Sequence, residues 1–201
     1  MKVKLYLADA RELSGHLTDG LALLTPKRRG EAEAFVEEKD CRLHCVAGLL
    51  LRSVLGVVQD SDLVYGEYGK PELANGTVRF SLSHAGCYAA LAVSEQPVGV
   101  DIEPIAKPQV LPRKMLTGEE MRWLEEHPSA EDFCLLWTRL ESALKAEGCG
   151  LALEHRGFSL LVDRSPWYWD TQIHDDHMLT CAGMESLVVQ TEKLSVEQLL
   201  K

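Results

Sequence analysis

The sequence is organised around one stretch, Val98-Gly99-Val100-Asp101-Ile102-Glu103-Pro104. Its β-branched residues predict a short strand, which ends at Pro104 because proline cannot extend a sheet ladder. Side chains alternate between the two faces of a strand, so Asp101 and Glu103 share one face. Two neighbouring carboxylates repel each other unless a cation lies between them, and such oxygen ligands suit Mg²⁺. The alternative is an acidic strand end that faces solvent.

Length and composition restrict the class of protein. The chain has 201 residues, 46% of them hydrophobic, and a formal net charge of −10, so we expect a real core and no nucleic-acid partner. The six cysteines form no Cys-x-x-Cys motif, which is typical of reduced thiols in the cytosol. The charged N-terminus does not resemble a signal peptide, and no apolar run is long enough to span a membrane. We therefore expect a cytoplasmic protein with no membrane partner.

In the first half, alternation predicts a strand at residues 2–8. Thr25 and Pro26 are typical of the N-cap and first residue of a helix. The three cations at residues 27–29 oppose the dipole of that helix, so either an anion docks there or they form a solvated turn. Apolar spacing predicts a longer helix at residues 39–55.

That longer helix carries three possible metal ligands. Cys41, His44 and Cys45 lie at helical spacing, and the alternative is that the cysteines pack in the core. Gly56 is expected to end the helix.

Strands and turns follow. Alternation at residues 77–83 and an apolar run at residues 88–93 predict two strands, which with residues 98–104 suggest a three-stranded antiparallel meander. Pro71 forces Lys70 into an extended conformation, which projects its amine from a stiff turn. His84 lies where a strand ends, and either a structural or a functional role fits that place.

The second half begins with two helices. Thr117 and Glu120 have the spacing of a capping box, and a second helix is expected from Ser129 to Glu147, with Gly148 as its stop.

One face of that second helix carries side chains with possible catalytic roles. Trp137, Glu141 and Lys145 are four residues apart and share the face. The alternative for Glu141 and Lys145 is an ordinary helix ion pair.

Further strands are expected at residues 158–162, 167–173, 178–182 and 187–190. The intervening His-Asp-Asp-His at residues 174–177 is either a metal cluster or, as we expect, a polar hairpin turn. Both halves thus show helices followed by an antiparallel meander.

Together these segments resemble the Sfp-type 4′-phosphopantetheinyl transferases. Four motifs carry the resemblance: Gly-Lys-Pro, Phe-x-x-Ser-His, Gly-Val-Asp-x-Glu, and a Trp-x-x-x-Glu-x-x-x-Lys helix followed by Gly-x-Gly-Leu. They stand at residues 69–71, 80–84, 99–103, 137–145 and 148–151. Each motif alone is weak, but four in this order and spacing are specific.

The resemblance implies an α+β, pseudo-dimeric fold. Its two similar halves, residues 1–101 and 102–201, would each have helices packed on a small antiparallel sheet, with the active site in the cleft between them. It also implies a Mg²⁺-dependent enzyme that acts as a monomer and uses coenzyme A as substrate. The enzyme would move the 4′-phosphopantetheine arm onto a serine of an apo acyl or peptidyl carrier protein and release adenosine 3′,5′-bisphosphate.

The resemblance also assigns roles to residues. Asp101, Glu103 and Glu141 would bind Mg²⁺, and Asp101, Glu141 and Lys145 would be catalytic. Glu141 would take the proton from the carrier serine, directly or through a water, and Lys145 would assist the departing phosphate. The residues expected to bind coenzyme A are Arg28, Arg42, Lys70, Pro71, Ser83, His84 and Lys145, with Lys27 as a weaker candidate.

Three positions depart from the family pattern. Leu140 replaces a lysine, Glu31 replaces a basic residue, and Leu43 stands where an arginine is expected, with Arg42 beside it. These changes leave two other hypotheses open. One is a weakened protein that binds coenzyme A or a carrier without turnover, and the other is an unrelated Mg²⁺-dependent phosphohydrolase.

The carrier partner is expected to dock through apolar contact. Carrier proteins are usually acidic and so is this chain, so long-range attraction cannot drive docking. Local basic help would come from Arg113, Lys114 and Arg122.

Overall fold

The computed structural model describes residues 1–106, 115–150, 157–162 and 166–201. The strands are β1 (Lys2–Asp9), β2 (Leu63–Tyr65), β3 (Pro71–Leu73), β4 (Arg79–Ala85), β5 (Tyr88–Ser94), β6 (Val98–Pro104), β7 (Tyr168–His174), β8 (His177–Gly183) and β9 (Val188–Lys193). The α-helices are α1 (Leu17–Leu23), α2 (Pro26–Glu33), α3 (Glu38–Leu55), α4 (Gly118–Glu126), α5 (Ala130–Glu147) and α6 (Val196–Leu199).

Two sheets lie back to back between two long helices. One sheet has the strand order β4-β5-β1-β9 and the other the order β6-β8-β7. Leu5, Val100 and Leu179 belong to a buried cluster that joins the two sheets. On the outer side of the first sheet α3 packs over Leu91, and on the outer side of the second α5 packs over Trp169. This α+β arrangement buries both faces of β6.

The expected meander of β4, β5 and β6 is wrong, because β6 pairs antiparallel with β8 and not with β5. The side chains of Val98, Val100 and Ile102 are fully buried in the cluster between the sheets. β5 is already paired with β4 on one side and with β1 on the other, so it offers β6 no free edge. The alternative of a solvent-facing strand end is also wrong, because Asp101 is only 2% exposed.

The first and the last of the four strands expected at the C-terminal end are corrected as well. β9 does not extend a C-terminal meander but runs parallel to β1, with Val3 opposite Val189. Residues 158–162 form bends rather than a strand. Leu160 is nevertheless fully buried, so that segment is held by side-chain packing and not by a sheet ladder.

The expected helix ends are confirmed. Thr25 caps α2 by accepting the backbone N–H of Arg28, and Ser129 caps α5 by accepting the N–H of Asp132. Gly56 and Gly148 follow α3 and α5 with φ values of 72° and 74°, the left-handed conformation that glycine adopts at little cost.

The capping box of α4 has a second function. The carboxylate of Glu120 accepts the backbone N–H of Thr117 at 2.8 Å through Oε2. Its Oε1 accepts the backbone N–H of Leu160 at 2.7 Å. Glu120 is completely buried, so this carboxylate also fixes the segment that follows α5.

Candidate active site

Strand β6 and helix α5 approach each other closely at Gly99. A Cβ atom added to Gly99 would lie 1.7 Å from the carbonyl oxygen of Ser142, so the helix backbone rests directly on the strand. Because Val100 and Ile102 face the other sheet, Asp101 and Glu103 face α5, as the alternation predicted. This close contact brings the Trp137-Glu141-Lys145 face of the helix over the two carboxylates.

Asp101 is at the centre of the site. Its Oδ1 accepts hydrogen bonds from Lys145 Nζ at 2.6 Å and from Ser83 Oγ at 2.8 Å. Its Oδ2 is buried and has no hydrogen-bond partner in the described part of the chain. Burial raises the pKa of Asp101, while the charge of Lys145 and the hydrogen bonds from Lys145 and Ser83 lower it. One oxygen of the carboxylate is therefore held and the other remains available.

Glu103 and Glu141 add two more carboxylates. Trp137 Nε1 donates to Glu103 Oε1 at 3.3 Å, a contact that the sequence did not predict. Burial first, and then the negative charge of Asp101, raise the pKa values of both Glu103 and Glu141. The three carboxylates thus lie close enough to repel one another, which is the condition that a bound cation relieves.

No complete metal centre is formed by side chains alone in the described ranges. Within them, no three His, Cys, Asp or Glu residues are arranged so that they could hold a metal ion. The assignment of Asp101, Glu103 and Glu141 to Mg²⁺ stays a prediction. Oxygen donors, their mutual repulsion and the unpartnered Oδ2 of Asp101 fit a hard divalent cation.

The other metal hypotheses find no support in the described residues. Cys41 and Cys45 are buried in the core on the inner side of α3, as the alternative proposed. Residues 174–177 form the hairpin turn between β7 and β8, in which His174 pairs with His177, and this confirms the turn.

The Gly-Lys-Pro turn reaches the end of α5. Lys70 Nζ donates to the carbonyl oxygen of Ala146 at 3.0 Å, and burial is the main cause that lowers the pKa of this amine. A Cβ on Gly148 would lie 3.0 Å from Lys70 Cδ, so the lysine stem packs on the glycine.

A pocket of about 220 Å³ lies between this turn and helix α5, and Glu141 is the one of the three carboxylates that lines it. Lys70 and Pro71 line one side of it, and Glu141 and Lys145 line the other. The turn and the helix predicted to act on one substrate therefore open into a common space.

Three basic side chains, Arg28, His44 and His84, form a second cluster, called here the basic group. The ring of His84 is exposed and stands edge-on to the ring of His44, with 5.7 Å between their centroids. Desolvation, and then the nearby charges of His44, Lys145 and Arg28, lower the pKa of His84. The structure thus brings His84 and Arg28 near Lys145.

Arg28 is the member of the 27–29 cation run that turns inward. It is 9% exposed, and burial lowers its pKa. Lys27 instead lies over the ring of Tyr65, and Arg29 pairs with Glu33.

Arg42 and His44 both lie on α3 but make different contacts. Arg42 forms an ion pair with Glu38 on α3, and no contact in the described ranges joins it to Arg28. His44 lies next to His84 and contacts Glu31, with 3.4 Å between Nε2 and Oε2. From the sequence, His44 was a candidate only as a metal ligand. Its position beside the apolar stripe of α3 did not predict the contacts with His84 and Glu31.

Comparisons with known proteins identify the family. The model of the 4′-phosphopantetheinyl transferase superfamily matches residues 97–182, which include β6 and α5. The chain is 31% identical over 164 residues to the 4′-phosphopantetheinyl transferase ffp of Bacillus subtilis, covering 75% of this chain and 72% of that protein. The chain belongs to the 4′-phosphopantetheinyl transferase superfamily.

Two further relatives place it with the Sfp type of this superfamily. It is 27% identical over 205 residues to the 4′-phosphopantetheinyl transferase Sfp of Bacillus subtilis (strain 168), covering 90% of this chain and 91% of the relative. It is 28% identical over 164 residues to the 4′-phosphopantetheinyl transferase gsp of Aneurinibacillus migulanus, covering 77% and 69%. The expected enzyme class, a 4′-phosphopantetheinyl transferase, is confirmed.

Proposed function

We propose that this transferase moves the 4′-phosphopantetheine arm of coenzyme A onto a serine of an apo acyl or peptidyl carrier protein and releases adenosine 3′,5′-bisphosphate. The names of its relatives support the transfer. The observation that carries the proposal is the state of Asp101, a buried carboxylate with Lys145 on one oxygen and no hydrogen-bond partner in the described residues on the other.

We propose that Asp101, Glu103 and Glu141 hold Mg²⁺. Their repulsion and the unpartnered oxygen of Asp101 support this ligand set. When bound, Mg²⁺ would neutralise the charge that develops on the pyrophosphate as its P–O bond breaks.

Two residues on one face of α5 would move protons. The raised pKa of Glu141, caused by burial and the charge of Asp101, favours its acting as general base toward the carrier serine, directly or through a water. Lys145 lies one turn further along and lines the same pocket. Its ammonium would stabilise or protonate the departing phosphate.

Coenzyme A would lie along the pocket and the basic group. Lys70 and Pro71 line the pocket, which supports their assignment to the nucleotide. Arg28 and His84, with His44 beside the ring of His84, would meet its phosphates. Arg42 and Ser83 were also predicted to bind coenzyme A, and these assignments stay predictions.

A labelling assay tests the activity. Wild-type protein, Mg²⁺, a fluorescent coenzyme A and a panel of apo carrier proteins are mixed, and carrier fluorescence is measured. Glu141→Gln should slow labelling by about 10²-fold or more, because a general base contributes about 10²–10⁴-fold. Glu131→Gln, an exposed change on the same helix, is the matched control. Failure of wild type with every carrier, or equal rates for wild type and Glu141→Gln, would contradict the mechanism.

A second candidate is a weakened protein that binds coenzyme A or a carrier without turnover. Two observations favour it: the carboxylate of Glu31 lies against His44 in the basic group, and Leu140 is buried in the core where the family has a lysine. Calorimetry that measures tight coenzyme A binding, combined with zero transfer to any carrier, would select this alternative. The phosphohydrolase hypothesis is set aside, because the chain belongs to the transferase superfamily.

We propose that the carrier docks mainly through apolar contact. Arg122 is exposed on α4, whereas Arg113 and Lys114 lie outside the described residues. Raising the salt concentration should leave carrier affinity nearly unchanged, since both partners are acidic. A steep loss of affinity with salt would contradict this docking mode.

We also propose a monomeric, cytoplasmic protein with two similar halves, residues 1–101 and 102–201, and with neither a nucleic-acid nor a membrane partner. The equal lengths of α3 and α5, each of 18 residues, support the division. None of the helices in the described ranges combines the length and the apolar character needed to cross a membrane. Light scattering that gives the mass of a dimer would contradict the monomer.

A further inference from the structure

The basic group and its neighbour Glu31 together carry almost no net charge at neutral pH. Arg28 contributes one positive charge, and Glu31, on the same helix α2, contributes one negative charge. Desolvation first, and then the charge of Arg28, lower the pKa of His44. Desolvation is also the main cause that lowers the pKa of His84 to about 4. Both rings are therefore largely neutral at pH 7, and the two remaining charges cancel.

His44 lies where these side chains meet. Its ring contacts the ring of Phe35, with 5.6 Å between the centroids, and the ring of His84 on β4. Its Nε2 lies 3.4 Å from Oε2 of Glu31, but no hydrogen bond joins the two atoms. The charged and titratable groups that face His44 are therefore Arg28 and Glu31 from α2 and His84 from β4. Glu31 becomes a counter-ion of His44 only when the ring is protonated.

Arg28 is a cation that lacks compensation. It is 9% exposed, and its Nε has no hydrogen-bond partner among the residues that the structure describes. A buried charge costs free energy unless hydrogen bonds and an opposite charge compensate it. Lys145, which also lies near His84, is already paired with Asp101 at 2.6 Å. A phosphate beside Arg28 would supply both the acceptor and the charge that this guanidinium lacks.

Such a phosphate would change the protonation of the two rings. A nearby opposite charge favours the charged form of a titratable group, so a bound phosphate raises the pKa values of His44 and His84. The complex then binds more protons than the free protein, and the affinity increases as the pH falls. Glu31 has the opposite effect on the ligand, because its carboxylate repels the phosphate.

We propose that Glu31 and His44 form a proton-linked pair that sets the strength and the pH dependence of phosphate binding at the basic group. Glu31 is the negative charge that competes with the phosphate for His44, and His44 gains a proton when the phosphate binds. The proposal rests on the proposed function, because it takes the phosphate to be one of those of coenzyme A.

Isothermal titration calorimetry of the full chain tests the proposal, with coenzyme A as the probe, saturating Mg²⁺ and no carrier. Heats measured in buffers of different ionisation enthalpy give the number of protons taken up. The pH stays at or above 6.5, since a phosphate monoester titrates near pH 6. The wild type should bind at least about threefold more tightly at pH 6.5 than at pH 8.5 and take up about one proton near pH 6.5.

His44→Gln replaces the ring by a neutral polar side chain. Because His44 is already neutral at pH 8.5, the variant should bind coenzyme A there within about twofold of wild type. At pH 6.5 it should lose most of the gain in affinity and most of the proton uptake. Protons taken up by other groups are common to both proteins, so the difference between them is the share of His44.

Glu31→Gln removes the competing charge at a position that is 43% exposed. It should bind coenzyme A about three- to tenfold more tightly than wild type at pH 7.5, because one repulsive charge is lost. Glu33→Gln is the matched control on the same helix, since Glu33 pairs with Arg29 outside the basic group. The control should bind within about twofold of wild type.

The outcomes separate this proposal from the proposed function. Equal wild-type affinities at pH 6.5 and pH 8.5, or equal affinities of Glu31→Gln and wild type, would overturn the proposal and leave coenzyme A binding intact. An equal loss in His44→Gln at both pH values would assign His44 a role that does not depend on its proton, and so also overturn the proposal. Absence of coenzyme A binding by the wild type would overturn the proposed function and this proposal with it.

Discussion

The ion pair between Asp101 and Lys145 predicts that removing Lys145 costs more stability than removing the charge of Asp101. The side chain of Asp101 is 3% exposed and that of Lys145 is 30% exposed. Lys145→Met leaves a negative charge buried with Ser83 as its remaining side-chain donor, whereas Asp101→Asn leaves an ammonium that can reach water. Removing one partner of a buried pair costs about 3–5 kcal/mol. We expect Lys145→Met to cost about 3 kcal/mol, since Lys145 is partly exposed, and Asp101→Asn to cost about 1–2 kcal/mol.

A double-mutant cycle measures this asymmetry. The double variant Asp101→Asn/Lys145→Met leaves no unpaired charge, so its loss of stability should fall short of the sum of the single losses by about 2 kcal/mol. Unfolding by urea in EDTA at neutral pH gives the free energies, provided that the m-value is unchanged. Lys145→Met should also lower Tm by roughly 6–12 °C.

The same pair predicts a pH dependence. The charge of Lys145 lowers the pKa of Asp101 against the effect of burial, so Lys145→Met should raise that pKa further. The native state then binds a proton that the unfolded chain has released, and stability increases as the pH falls. The stability difference between wild type and Lys145→Met should therefore shrink from pH 7 to pH 5. A difference that grows on acidification, a larger loss for Asp101→Asn than for Lys145→Met, or additive losses would refute the reasoning.

Three further predictions concern the fold and the basic group. Gly99→Ala should lower the free energy of unfolding in urea by at least about 3 kcal/mol, because its Cβ would overlap the backbone of α5. Gly30→Ala is the control, a change in open space on α2, and should raise the free energy of unfolding by about 0.5–1 kcal/mol. Glu120→Ala should cost about 2–4 kcal/mol in the same assay, since two backbone N–H groups lose their acceptor; a loss below about 0.5 kcal/mol would contradict it. NMR titration should give His84 a pKa below 6.5. The free energy of unfolding should therefore decrease as the pH drops below about 6.5, and His84→Gln should lack this pH dependence. Bound coenzyme A should raise the pKa of His84, and a lowered pKa would contradict a phosphate near the ring.

Local features were predictable because they depend on neighbours in the sequence. Thr25 and Thr117 are recognisable as caps since their hydroxyls bond to backbone N–H groups three residues away. The common face of Trp137, Glu141 and Lys145 follows from helical periodicity, and contacts from Trp137 and Lys145 to the carboxylates of β6 confirm it.

Strand pairing was not predictable in the same way. β6 follows β5 after a short turn, which favours a hairpin by proximity. The structure instead pairs β6 with β8, and β9 with β1, since burial of apolar faces between two sheets involves segments far apart in the chain. The neighbours of His44 and Ser83 were not predictable either, because they lie on other elements.

The sequence by itself determined the helix ends, the two faces of β6 and the order of the four motifs that resemble the transferase family. Only the tertiary structure decided that β6 lies between two layers, that Ser83 and Lys145 hold one oxygen of Asp101, and that His44 lies beside His84. The physical reason is range. Caps and periodicity are set by backbone geometry over a few residues, whereas burial and charge pairing depend on which distant surfaces exclude water from each other.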